Sequence, residues 1–291
     1  MCYQRGKRNE NNIKKFYIIW RDAPLEGLFS YVNNFLWHIM IAVKNDWIPI
    51  IDMQNHKNSY LDDALLGKEN AYEYYFEQPM NYSLNDICHD AITMLCKGEP
   101  SPIQFTNRRN TVKRKWKKLA NKYIKINELC LEQMNEQYDK LGMASESILG
   151  VNIRSTDYVS LNIKGLPKQP DNEIIIEKCH KIMKRYGIKK IFMCCDNEEA
   201  IKMFKKEFGE DTVLVNERKF YPLNSDLSNP MINFERENDT YLKGLEYLTS
   251  VYLLSRCDYL VGGLSGASVA AQLLKKNKYK KIYIWRSGYI N

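Results

Sequence analysis

From Ile148 to the C-terminus, short apolar runs alternate with amphipathic stretches, and this alternation restricts the fold more than any other feature. Ile148-Leu-Gly-Val-Asn-Ile153, Lys190-Ile-Phe-Met-Cys-Cys195, Thr212-Val-Leu-Val215, Asp258-Tyr-Leu-Val261 and Lys281-Ile-Tyr-Ile-Trp285 read as buried strands. Residues 172–186, 197–208, 241–256 and 265–275 read as the helices between them. Strands separated by helices must be linked by crossovers over a sheet face, so the pattern predicts a doubly wound parallel sheet. Cys194 and Cys195 are neighbours in one run and are expected on opposite faces of that sheet.

The first half begins in a similar way. Phe16-Tyr-Ile-Ile-Trp20 reads as a strand, 29–44 as a helix and Trp47-Ile-Pro-Ile-Ile-Asp52 as a second strand, a β-α-β start. Between about 53 and 100 the pattern weakens into Asn, Tyr and acids, which reads as an irregular insertion with short helices. Glu99-Pro-Ser-Pro102 punctuates the chain, and one long helical region is expected over 110–140. The 291 residues exceed one ordinary core and suit two domains of roughly 140 each. The expected architecture is α/β, with two Rossmann-like domains, 1–145 and 146–291, and a cleft between them.

Composition narrows the classes. With 44% hydrophobic and 12% aromatic residues the chain is expected to fold rather than stay disordered. Its longest apolar stretch, Phe35–Val43, is broken by His38 and is far below the roughly 20 residues of a membrane span. Met1–Lys15 is polar and charged, so no secretory leader is read and a cytoplasmic location is expected. The eight cysteines form no C-x-x-C pair, which favours reduced, buried thiols. Much of the formal charge of +8 lies between Arg108 and Lys125, which holds nine Lys/Arg and no acid. A solvated helix face is the plain reading of that run. Peripheral contact with an anionic membrane, on its inner face, or with a phosphate-linked acceptor comes next. Nucleic acid is not expected, because Trp116 and Tyr123 are too sparse for a stacking platform.

Ligands of open α/β sheets bind beyond the carboxyl ends of the strands. The first strand of the second half delivers Arg154, Ser155, Thr156 and Asp157 there, and the second delivers Asp196 and Asn197. The fourth delivers Gly262-Gly-Leu-Ser-Gly-Ala-Ser268 at the start of a helix. Arg154 is of the type that meets an anion bidentately, or it is a surface ion-pair partner. Asp196-Asn197, before Glu198-Glu199, contacts a ligand or caps the next helix. The small-residue turn lets a phosphate reach helix N–H groups, or it is tight packing. No Asp-x-Asp is present, and His38, His56, His89 and His180 are isolated. A diphosphate would then be neutralised by a side chain and a helix dipole, without a metal, with Arg154 the obvious cation.

At this point a resemblance enters. Gly150-Val-Asn-Ile-Arg-Ser-Thr-Asp-Tyr158 resembles the H-x-R-R-x-D-Y segment of the fucosyltransferase superfamily of α1,2-, α1,6- and protein O-fucosyltransferases. Met193–Ala200 and Leu254–Ser268 are similar to the second and third motifs of the α1,6 group. Pro24-Leu-Glu-Gly-Leu-Phe-Ser30, with the following helix carrying Met40-Ile-Ala42, resembles the loop and helix that open these enzymes. Asn152 stands in place of the motif histidine, and Ser155 in place of the second arginine.

The resemblance implies a GT-B architecture, GDP-fucose as donor, a glycan or glycolipid-linked acceptor, inversion at the anomeric carbon and no metal or other cofactor. It makes 146–291 the nucleotide-sugar domain and 1–145 the acceptor side. It implies that Arg154 holds the β-phosphate and that Asp196 and Asn197 contact the guanosine. Ser265, Gly266 and Ala267, flanked by Gly263 and Ser268, would cradle phosphates, with Gly27 and Asn152 completing the donor site. Glu26 would be the base and Asp157 its alternative. A transferase of this fold using another nucleotide sugar, and a non-catalytic nucleotide- or glycan-binding protein, are the rival readings. The Lys- and Asn-rich composition fits a bacterial enzyme of surface-glycan biosynthesis.

Overall fold

The computed structural model describes residues 2–5, 14–21, 24–87, 91–97, 112–156, 161, 164–223 and 227–290. In the first half the elements are β1 (Cys2–Arg5), β2 (Lys15–Trp20), α1 (Leu28–Lys44), β3 (Ile48–Asp52), β4 (Phe76–Glu77), β5 (Ile92–Lys97), α2 (Arg114–Tyr123), β6 (Lys125–Ile126) and α3 (Glu128–Lys140). In the second half they are β7 (Ile148–Ile153), α4 (Asn172–Tyr186), β8 (Lys190–Cys195), α5 (Glu198–Phe208), β9 (Val213–Leu214), α6 (Asp239–Arg256), β10 (Tyr259–Gly263), α7 (Gly266–Leu274) and β11 (Lys281–Trp285). No helix among the described residues is long and apolar enough to cross a membrane.

The second half forms the expected parallel sheet, in the order β11-β10-β7-β8-β9. The chain winds outward one way through β8 and β9 and the other way through β10 and β11. The direction of winding therefore reverses between β7 and β10, and a crevice opens at their carboxyl ends. The first half builds a second sheet, β1-β5-β2-β3, in which β2 runs parallel to both β3 and β5. Among the described strands of that sheet only the edge strand β1 is antiparallel.

Two expectations are corrected. The stretch read as an irregular insertion contains β5, which lies inside the first sheet between β1 and β2. Its six residues, Ile-Thr-Met-Leu-Cys-Lys, carry too little alternation to stand out, and the pairing on both sides makes the strand. The single long helix over 110–140 is two helices, within the described residues from 112 onward. Lys125–Ile126 pairs antiparallel with Phe76–Glu77, and Asn127 then caps α3 by accepting from the Cys130 N–H at 2.9 Å. The Asn127 amide also donates to the Tyr74 carbonyl at 2.9 Å. A tertiary strand pair and a cap therefore break a segment whose local composition favours helix.

The strand period of two divides the core. Leu149, Val151, Ile153, Ile191, Met193 and Cys195 face α4 and α5, meeting Ile175, Cys179, Ile201 and Phe204. Ile148, Phe192, Cys194 and Leu260 face the other way. There they meet a helical layer drawn from both halves, with Phe29 and Phe35 of α1, Trp116 of α2, Leu254 of α6 and Ala270 of α7. Tyr17, Ile19 and Ile51 of the first sheet close that layer on its far side, so one continuous core joins the two sheets. Cys194 and Cys195 take opposite faces as expected. Cys130, Cys179, Cys194, Cys195 and Cys257 are buried free thiols.

Two consequences are testable. Gly244 of α6 lies against the buried Tyr75 ring, whose hydroxyl donates to the Tyr241 carbonyl at 2.9 Å. A Cβ there would stand 2.1 Å from the Tyr75 oxygen. Gly244→Ala should therefore lower stability in urea unfolding by about 1–3 kcal/mol through overpacking; unchanged stability would refute the close contact. Burial also pushes the thiols of Cys179 and Cys194 up from 9.0 to about 12. Above pH 9 the unfolded chain loses these protons while the native state keeps them, so stability must fall as pH rises from 9 towards 12. Urea midpoints that stay flat across that interval would contradict the assignment.

Candidate functional site

A solvent-open cleft lies at the carboxyl ends of β7 and β8, where ligands of open α/β sheets bind. Residues of both halves line it. Gly27 and Tyr60 come from the first half, and Asn152, Arg154, Asp196 and Ala267 from the second. Five sequence candidates are thereby gathered in one place: Gly27, Asn152, Arg154, Asp196 and Ala267.

Asp196 organises the strand ends. Its carboxylate is buried, with 4% of the residue exposed. One oxygen accepts from the Thr156 hydroxyl at 2.6 Å, from the Asn229 amide at 3.2 Å and from Arg154 Nη1 at 2.9 Å. The other accepts from the Ser155 N–H at 3.2 Å. A buried charge is tolerated only when so surrounded. Asp196 thus fixes the Arg154 guanidinium at the cleft wall by one end of its fork. Arg154 is thus an ion-pair partner of Asp196 that also lines the cleft.

Asn197 is a cap. Its side-chain oxygen accepts from the Ala200 N–H at 2.8 Å at the start of α5, and its amide donates to the Ser155 hydroxyl. It does not line the cleft.

The small-residue turn divides similarly. Gly262 has φ +156, and a Cβ on it would stand 2.2 Å from the Asn152 carbonyl oxygen. A Cβ on Gly263 would stand 1.9 Å from Gln169 Oε1. Protein neighbours therefore account for both glycines. The hydroxyls of Ser265 and Ser268 form a capping box, and Ser265 Oγ also accepts from the Asn152 amide at 3.1 Å. These serines are used in holding β7 to α7. What the turn presents to the cleft is the α7 N-terminus at Ala267, where first-turn N–H groups have no intrahelical acceptor. Gly266 sits beside Phe29 and Ser30 at the start of α1, 3.5 Å from the Phe29 Cβ.

Glu26 precedes the Gly27 cap of α1. One oxygen pairs with Arg21 Nη2 at 2.6 Å and the other accepts from the Ser30 hydroxyl. Its side chain keeps 31% exposure. Asp157 lies outside the described residues.

The structure adds groups that sequence reasoning missed. Arg218 lines the cleft four residues beyond β9, steadied by donation from Nη1 to Ser250 Oγ at 3.2 Å. Tyr221, Asn229 and Pro230 form a wall from the loop that follows. Lys243 of α6 is buried and pins that loop, its Nζ donating to Asn233 Oδ1 at 2.8 Å and to the Ile232 carbonyl at 3.2 Å. Burial pushes its ammonium down. Reading the end of the third strand as the first, second and fourth were read would have found Arg218. Lys243 carried no signal, since a lysine in an amphipathic helix reads as solvent-facing. No cluster of three His, Cys, Asp or Glu side chains suited to a metal occurs among the described residues.

Neither a protein-family model nor a curated protein matches the sequence. Solved structures do match in fold. The fucosyltransferase NodZ from Bradyrhizobium is 15% identical and aligns over 90% of this chain and 94% of its own, with TM-score 0.58. A mutant of Arabidopsis thaliana FUT1 in complex with GDP is 11% identical over 97% of this chain and 72% of its own, with TM-score 0.57. POFUT1 in complex with GDP is 12% identical over 93% and 98%, with TM-score 0.54. NodZ alpha-1,6-fucosyltransferase has also been soaked with GDP-fucose. The chain thus shares the fold of these fucosyltransferase structures.

Removing the Asp196 carboxylate takes away the buried acceptor shared by Ser155, Thr156, Asn229 and Arg154. Asp196→Ala is expected to destabilise the protein by about 3–5 kcal/mol in chemical denaturation. A cost below about 1 kcal/mol, that of an exposed pair, would show that Asp196 does not organise the cleft.

Proposed function

We propose that this chain is an inverting glycosyltransferase that moves fucose from GDP-fucose to a glycan hydroxyl, with 146–291 as donor domain and 1–145 as acceptor side. The carrying observation is that Arg154, Arg218 and the α7 N-terminus line one cleft at the point where sheet winding reverses. Two guanidinium groups and unpaired helix N–H groups suit a diphosphate, and suit it better as charge accumulates on departure. That supply of positive charge supports a metal-independent reaction. GDP as the nucleotide is supported by the motif resemblance and by the GDP and GDP-fucose complexes of the structural neighbours.

In this reading Arg154 and Arg218 grip the diphosphate, and Arg218 takes the place of the arginine that Ser155 lacks. Tyr221, Asn229 and Pro230 wall the nucleoside. Asp196 holds Arg154 in position rather than touching guanosine, and Asn197 supports Ser155. The acceptor hydroxyl gives its proton to Glu26, where it displaces the Ser30 hydroxyl as donor. The acceptor oxygen then bonds to the anomeric carbon from the face opposite the diphosphate. The bond from that carbon to the β-phosphate oxygen breaks, and its electron pair leaves with GDP. Asp157 is the alternative base.

Calorimetry with GDP tests the phosphate assignment. Arg154→Ala and Arg218→Ala should each weaken binding by about 10- to 100-fold, as loss of a charged hydrogen bond does. An unaltered dissociation constant in both would overturn the donor site. Glu26→Gln should retain GDP affinity and reduce fucose transfer by about 10²–10⁴-fold. Full transfer by Glu26→Gln combined with loss in Asp157→Asn would reassign the base.

A further inference from the structure

Within the described residues the long basic run, from 112 onward, does not line the cleft, and the fold extends it. Helix α2 packs on α7, and the Val112 N–H donates to Gln272 Oε1 at 2.8 Å. At the end of α7 the chain passes through Lys275-Lys-Asn-Lys-Tyr-Lys-Lys281. Lys117 Nζ of α2 donates to the Asn277 carbonyl in that segment at 2.9 Å. Two lysine clusters about 160 residues apart in sequence are thus pinned into one face.

The charges on this face are uncompensated. Lys113, Arg114, Lys115, Lys118, Lys276 and Lys278 are exposed. None of these makes an ion pair among the described residues, whereas Lys125 pairs with Glu77 and Lys280 with Asp258 at its margins. Residues 112–127 and 266–281 contain no acid. Lys117 is held near like charge, its ammonium pushed down by burial and by Lys278. The aromatic residues of the run are turned inward, Trp116 at 3% exposure and Tyr123 at 4%. No ring is offered to a base for stacking, which removes the contact that single-stranded nucleic acid uses. What remains is a lysine surface of point charges on flexible stems, fitted to laterally mobile anionic headgroups rather than to bidentate recognition.

We infer that the face formed by α2 and 275–278 is a docking surface for an anionic lipid bilayer. Its position is compatible with a working cleft. The nine residues of α7 span about 13 Å. The helix begins at the cleft and ends at the lysine face, so the two lie at opposite ends of α7.

Co-sedimentation of the full chain with vesicles tests this surface. Vesicles of phosphatidylcholine with one third phosphatidylglycerol should retain the protein, and vesicles of phosphatidylcholine alone should not. Raising the salt should release it, as expected for exposed charges. Lys115→Glu/Lys118→Glu/Lys278→Glu should lower partitioning by at least about tenfold while keeping the thermal midpoint and GDP affinity. Lys184→Glu/Arg185→Glu/Lys189→Glu, on the opposite side of the second sheet, should partition like the parent. Equal binding to neutral vesicles, or equal loss from both triple variants, overturns the docking surface. So does retention of anionic-vesicle binding by the first variant, or tighter binding to single-stranded RNA than to the anionic vesicles. GDP binding is read separately in every variant, so failure here is distinguishable from failure of the donor site.

Discussion

One buried carboxylate holds the cleft together. Asp196 receives hydrogen bonds from the first strand end through Arg154, Ser155 and Thr156, and from the loop after the third through Asn229. It sits at the end of the second strand itself. A charge stripped of water must recruit donors or neutralise, and here the donors come from the end of the neighbouring strand and from the loop after the third. The cleft wall is therefore a by-product of satisfying that group. The same logic recurs at Lys243, where a buried ammonium gathers the carbonyls of the loop that carries Asn229 and Pro230. Two buried charges of opposite sign hold one loop, Asp196 at Asn229 and Lys243 at Pro230, Ile232 and Asn233.

Around this frame the small residues of the third motif have a double use. Gly262 and Gly263 let β10 pass Asn152 and Gln169, and the paired serines cap α7 and receive Asn152. None of these side chains needs to touch a ligand. Their work is to bring the N-terminus of α7 to the switch point, where Ala267 lines the cleft. Asn152 has the geometry for this role, its amide reaching the Gly263 carbonyl at 3.3 Å as well as Ser265.

The two sheets are joined through a shared layer of helices rather than through a thin hinge. Tyr75 of the first half lies against Gly244 of the second, and Phe29 contacts Tyr247 edge-on with ring centres 5.2 Å apart. Helix α1 brings Gly27 to the cleft at one end. Helix α7 runs from that cleft towards the lysine face at the other. Chemistry and surface charge are thus placed at opposite ends of the same packed layer.

By itself the sequence determined the parallel sheet of the second half, the opposed faces of Cys194 and Cys195, and the strand ends that carry Arg154, Asp196 and Ala267. These are properties of period and of chain order, and they persist because a fully buried strand has few alternatives. Tertiary structure alone decided that β5 enters the first sheet, that 110–140 divides at a strand pair, and that Arg218 and Lys243 reach the cleft. The reason is physical. Each of these outcomes depends on a partner distant in sequence: Phe76 for Ile126, Ser250 for Arg218, Asn233 for Lys243. Hydrogen bonds made across such separations leave no periodic trace in the chain that makes them.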